Sequence, residues 1–177
     1  SALEMAVRSG RTRYVGVSNY PAWAAVHMAD LLGSAIGMAG VQTEYSLLNR
    51  SAEQELIPAA QELGFGIMGW SALGRGVLTG KYRNATPPDS RGASVHLAGF
   101  VAPYLNDDAA RVVNAVATAA AGLERSPLEV ALAWARGSDG IDCSIVGARN
   151  THQLRDILAA ADLQLEPQIR HVLNEVS

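Results

Sequence analysis

One repeat restricts the fold of this chain more than any other feature. Short β-rich runs recur at residues 14–18, 38–45, 65–71 and 141–146, and helical patterns follow each of them. The spacing of the first three is regular: 26 positions separate Tyr14 from Gly40, and 26 more separate Gly40 from Gly66. A strand plus a crossover helix fills such an interval, and βαβ units of this kind build parallel sheets. The expected fold is therefore α/β, with four parallel strands and crossover helices.

The helices can be read from their ends. Ser1 and Glu4 form a capping box for residues 2–9, which Gly10 stops. Pro21 opens the next helix, whose apolar stripe of Trp23, Val26, His27 and Leu31 ends at Gly33. Ser51 and Gln54 read as a second box for a helix to Leu63, with Gly64 as its stop. Pro58 inside it predicts a kink or a late start. Asp107 and Asp108 open an alanine-rich helix to about Leu123. Ser126-Pro127-Leu128-Glu129 is a third capping box, for a helix to Ala135. Residues 152–161 and 166–176 complete the set. Residues 84–105 form a long loop around a mobile-looking Ser90-Arg91-Gly92-Ala93, the one candidate lid.

Composition removes several function classes. The 177 residues are 49% hydrophobic and 18% charged, enough for a single domain over 1–177 with a real core. A net charge of −3 without a basic run argues against nucleic acid as a partner. No apolar run is long enough to span a bilayer and no secretory pattern is read at the start, so neither a membrane nor export is expected. Cys143 is the single cysteine, which fits a reducing cytoplasm; it is expected to be a small core residue.

In parallel βα folds, ligands bind at the carboxyl ends of the strands. Those ends read Ser18-Asn19, Gln42 to Tyr45, Trp70-Ser71 and Gly147-Ala148-Arg149. The third leads into a glycine-rich loop, Gly74-Arg75-Gly76-Val77-Leu78-Thr79-Gly80-Lys81, with two cations. Glycines admit close approach of backbone N–H groups, and cations beside them suit a phosphate. Trp70 offers a flat stacking face, and Arg149 is placed for a bidentate phosphate contact. Ser18 and Asn19 could also be only caps for the following helix, and the two roles are compatible.

Four pieces carry a family resemblance in order: residues 9–20 (SGRTRYVGVSNY), 42–50 (QTEYSLLNR), 69–82 (GWSALGRGVLTGKY) and 145–154 (IVGARNTHQL). Together they resemble the C-terminal half of an aldo-keto reductase, strands five to eight of a TIM-type (β/α)8 barrel, with an extra C-terminal helix. The resemblance implies NADP(H) as cofactor and hydride transfer between NADPH and a small aldehyde or ketone. It implies that Ser18, Asn19 and Gln42 hold the nicotinamide carboxamide and that Trp70 stacks on its ring. Ser71, Leu73, Arg75 and Lys81 would line the pyrophosphate. Gly147, Arg149, Gln153 and Asp156 would hold the adenosine with its 2′-phosphate. Ala72 stands where the family commonly has proline.

The family's catalytic aspartate, tyrosine, lysine and histidine come from the first four strands, so no catalytic residue and no metal ligand is assigned in this chain. None of His27, His96, His152 and His171 falls at a strand end, and Tyr45 lacks a neighbouring lysine. Four parallel strands cannot close a small barrel. The expected partner is the missing N-terminal half-barrel or a second copy docked on the open sheet edges. On this reading the chain is a fragment, inactive alone; the alternative is a non-catalytic half-barrel that binds a nucleotide or a partner protein.

Overall fold

The computed structural model describes residues 2–177, with the backbone alone at Ser34 and Ala35. The chain runs α1 (Ala2–Arg8), β1 (Gly16–Ser18), α2 (Ala22–Ile36), β2 (Gly40–Glu44), α3 (Leu56–Leu63) and β3 (Gly66–Trp70). There follow α4 (Ala98–Val101), α5 (Asp107–Gly122), α6 (Pro127–Arg136), β4 (Cys143–Ile145), α7 (Thr151–Ala159) and α8 (Pro167–Val176). The four strands pair in sequence order, all parallel. Each is shorter than its sequence pattern, because the apolar flanks continue into the turns.

Register explains the two faces of the sheet. Val41 and Ile67 are paired and fully buried beneath the helices. The alternate row, Ser18–Gln42–Met68–Cys143, lies on the opposite face, where Ser18 and Cys143 are exposed and Gln42 and Met68 half-buried. Cys143 is therefore exposed, not in the core, because its parity along β4 aims it away from the helical layer. Further down, Gly16, Gly40 and Gly66 align across three strands. A Cβ at Gly16 or Gly40 would stand 2.5 or 2.6 Å from the next strand's carbonyl oxygen, so neither of these two positions admits a side chain.

Helix signals resolve with two exceptions. Ser126 and Glu129 make the reciprocal capping box, Gly64 ends α3 at φ 73°, and Gly33 breaks α2 at φ 57° with one more turn beyond it. The box expected at Ser51 is absent: its hydroxyl donates to Asn49 Oδ1, and residues Ser51–Glu53 form a 3-10 turn. The α-helix starts at Leu56, the late start that leaves Pro58 in the first turn, where its missing N–H costs no bond. The box expected at Ser1 lies outside the described residues; Glu4 pairs with Arg8 at 2.9 Å.

The core centres on α6, in which every residue from Val130 to Ala135 is buried. Trp134 is 1% exposed and stacks on Tyr45, ring centroids 5.4 Å apart. The second half of the QTEYSLLNR motif builds this region. The Tyr45 hydroxyl donates to Glu53 Oε1 at 2.7 Å. Arg50 donates to both Glu53 oxygens at 2.8 Å, and to the Asn174 carbonyl oxygen and Ser177 Oγ. The Trp134 indole N–H donates to Asn174 Oδ1 at 2.8 Å. This network ties the end of β2 to α6 and α8.

Burial pushes the Glu53 carboxyl up, but the Arg50 and Tyr45 hydrogen bonds outweigh it and hold it below the ordinary carboxylate range. As pH falls, the unfolded chain then takes up this proton first. Glu53's contribution to stability is complete above the free-carboxylate value, about 4.3, and is lost as pH drops through the folded value. Denaturant melts between pH 6 and 3 are expected to show a shallower loss for Glu53→Gln than for wild type. An identical slope would remove Glu53 from this account.

Candidate functional site

Backbone strain marks the carboxyl end of the sheet. Among the described residues, the non-glycine positions with positive φ are Asn19 (58°), Ser71 (62°), Arg75 (57°) and Glu124 (54°). The first three stand at or just beyond the ends of β1 and β3. Asparagine tolerates this region; serine and arginine do so only where surroundings force them.

The forcing contacts are visible. The Asn19 N–H donates to the Gln42 carbonyl oxygen at 2.7 Å, and its Oδ1 accepts the Trp70 indole N–H at 2.8 Å. The Ser18 hydroxyl donates to Gln42 Oε1 at 2.9 Å. Neither Ser18 nor Asn19 caps α2, whose N-cap is Pro21 without a side-chain bond. Ser18, Asn19, Gln42 and Trp70 thus form one connected patch across the ends of β1, β2 and β3.

A groove of about 710 Å³ opens beside that patch. Trp70, Ser71, Leu73, Arg75 and Lys81 line one side, and Gly147, Arg149 and Gln153 the other. Eight of the twelve residues expected from sequence therefore meet in one depression. Ser18, Asn19 and Gln42 adjoin it through Trp70. Asp156 sits one turn along α7, paired with His152 at 3.6 Å.

Local bonds shape both walls. Ser71 Oγ accepts the Arg75 N–H at 2.8 Å, and the Gly74 and Gly76 N–H groups donate to Ser71 and Leu73 carbonyls. The glycine loop therefore spends these donors on itself. Across the groove, Asn150 caps α7 by accepting the Gln153 N–H, while Gln153 Oε1 accepts the Arg149 N–H at 2.9 Å. Sequence reading missed Asn150 as the cap, though an Asn three residues before Gln153 is the signal.

Two further residues escaped the sequence reading. Glu44 shares a face with Gln42 and pairs with Trp70 in register. Its carboxylate takes Arg75 Nε at 2.8 Å and Nη2 at 2.6 Å. Phe100, from the 84–105 segment, stacks on Trp70 with centroids 6.5 Å apart and planes at 11°. That segment carries 3-10 turns at Arg91–Ala93 and Ala102–Tyr104 beside α4. The Tyr82 hydroxyl accepts the Gly92 N–H at 3.1 Å, so the stretch read as mobile is tied to the glycine loop. No helix among the described residues is long and apolar enough to cross a membrane, and no cluster of His, Cys, Asp or Glu among them could hold a metal.

These strand ends gather an aromatic plate, cations and a capped helix start at one end of a parallel βα fold. The chain belongs to the aldo/keto reductase family, whose model matches residues 1–176. It is 31% identical to the uncharacterized oxidoreductase YrpG of Bacillus subtilis over 99% of this chain and 52% of that protein. It is 33% identical to L-glyceraldehyde 3-phosphate reductase of Escherichia coli K12, over 90% of this chain and 47% of that protein. A probable voltage-gated potassium channel subunit beta of rice (Oryza sativa) is 31% identical over 92% of this chain and 51% of its own length. The chain thus spans about half the length of the curated relatives it matches.

Proposed function

We propose that this chain supplies the NADP(H) site of a carbonyl-reducing enzyme, as the last four βα units of an eight-stranded barrel. The observation that carries this reading is the groove itself, which brings a stacking plate and two exposed cations into one depression. Members of this family typically use a nicotinamide cofactor. The residues present fit such a ligand: flat at one end, anionic along its length.

Trp70 would take the nicotinamide ring, with its indole held by Asn19. Gln42, whose Oε1 takes the Ser18 hydroxyl, keeps its amide NH2 to donate to a carboxamide. Lys81 and Arg149 would supply the phosphate charge, Arg149 at the start of α7, where the helix dipole also favours an anion. Ser71, Leu73 and Gly147 would form the floor and walls, and Gln153 and Asp156 would flank the adenosine. The cofactor, when bound, delivers hydride to the carbonyl carbon.

We further infer that the proton donor lies outside this chain. Tyr45 is buried and bonded to Glu53, which supports a scaffold role. His27, His152 and His171 sit on helices and His96 lies in the 84–105 segment. The outer sides of β1 and β4 pair with no other strand among the described residues, and Ser18 and Cys143 are exposed on the sheet face opposite the core. A complementary half-barrel, in the same protein or as a separate subunit, would close both. The test is a calorimetric titration of the purified, mass-verified chain with NADPH and NADH. Saturable binding with NADPH preferred is expected; no binding by a folded chain would remove the cofactor reading and favour a partner-binding role.

A further inference from the structure

We propose that Glu44 and Arg75 form a latch that seats residues 98–104 on the Trp70 end of the groove, and that Arg75 is a positioning residue there, not a phosphate ligand. The latch rests on the reading of this groove as a ligand site, but its geometry stands without any ligand.

Each nitrogen of the Arg75 guanidinium donates to protein, and two aromatic rings lie close to it. Nε and Nη2 grip the Glu44 carboxylate in a bidentate pair, and Nη1 donates to the Phe100 carbonyl oxygen at 2.6 Å. The guanidinium carbon lies 4.0 Å from the Phe100 ring centroid and 4.9 Å from that of Tyr104. The two charged side chains are 16% and 11% exposed, so water competes little for the pair. The Glu44 hydrogen bonds raise the Arg75 pKa further above its usual value, and burial opposes them.

Three separate parts of the chain meet at this cation. Glu44 is fixed in register beside Trp70 at the end of β2. Arg75 holds a left-handed backbone conformation in the glycine loop, with its N–H bonded to Ser71 Oγ. Phe100 and Tyr104 belong to α4 and the 3-10 turn after it. The cation therefore connects sheet, loop and lid, and it sets where Phe100 lies over Trp70. Phe100 and Leu97 wall the groove at that end, so the latch fixes the space left beside the stacking plate.

The two roles for Arg75 predict opposite signs for its partner. A phosphate ligand would be weakened by Glu44, so Glu44→Gln would strengthen anion binding while Arg75→Met weakened it. A latch fails in the same direction when either half is removed. Amide hydrogen exchange across residues 98–104 reads this in the chain alone, with no nucleotide added. Glu44→Gln and Arg75→Met are each expected to speed exchange there by about tenfold, and the double variant by no more than either single change. Phe100→Ala, in the exposed lid and outside the core, is expected to speed exchange while leaving the melting temperature in place.

Unchanged exchange in both charge variants would overturn the latch, as would a change in Arg75→Met alone. Opposite shifts in affinity for inorganic pyrophosphate would assign Arg75 to the ligand instead. Faster exchange in a chain that fails to bind NADPH would leave the latch standing and remove the cofactor reading only.

Discussion

Trp134→Ala is expected to destabilise the chain by about 4 kcal/mol, within the range for deleting a buried aromatic side chain. The indole is 1% exposed and stacks on Tyr45. Arg50 lies 5.5 Å above its ring, and its N–H satisfies Asn174 Oδ1. Truncation opens a cavity between α6 and the end of β2 and leaves Asn174 without that donor. It also removes the plate between the Arg50–Glu53 pair and α8. Urea unfolding reads the effect as a lower midpoint with an unchanged slope. A loss under about 1 kcal/mol would mean that the helices find their packing elsewhere.

Arg149→Ala is expected to weaken NADPH binding by about 10- to 100-fold, the loss of a hydrogen bond to a charged group. The guanidinium is exposed at the groove margin, and its polar contact is one 3.4 Å bond to the Asp89 carbonyl oxygen. It is thus free to turn to a phosphate at little cost. Its backbone N–H is already held by Gln153, so the substitution leaves the turn before α7 in place. NADH, lacking the 2′-phosphate, should lose much less. Equal losses for the two nucleotides would place Arg149 on the shared pyrophosphate, and no loss for either would take it out of the site.

The sequence carried the skeleton of this fold because its strongest signals are local. A glycine that must adopt positive φ at position 64, or a serine with a glutamate three residues on at 126–129, acts within one turn. Stacking such signals at a steady interval was enough to order the first three parallel strands, and the fourth was read from its own apolar run at 141–146. The candidate groove was legible for a related reason: strand ends converge in any parallel βα fold. What stayed hidden is set across the chain. Glu44 and Arg75 are 31 positions apart and Phe100 is another 25 beyond, so no periodicity joins them. A four-residue helix such as α4 is too short to show an apolar stripe. Cys143 looked like a core residue by type, but its place was decided by parity along β4. Arg75 looked like a phosphate ligand by its glycine neighbours, whereas a carboxylate from β2 meets it first.

The central claim is that this groove, and not another surface, receives the cofactor. Backbone amide and indole resonances of the isotope-labelled chain, followed during an NADPH titration, test it most directly. The account predicts saturable shifts at the Trp70 indole N–H, at Ser71 to Lys81 and at Gly147 to Gln153, with Trp23 and Trp134 unmoved. Shifts clustered at the exposed Trp23 surface, or none at all in a folded chain, would contradict it.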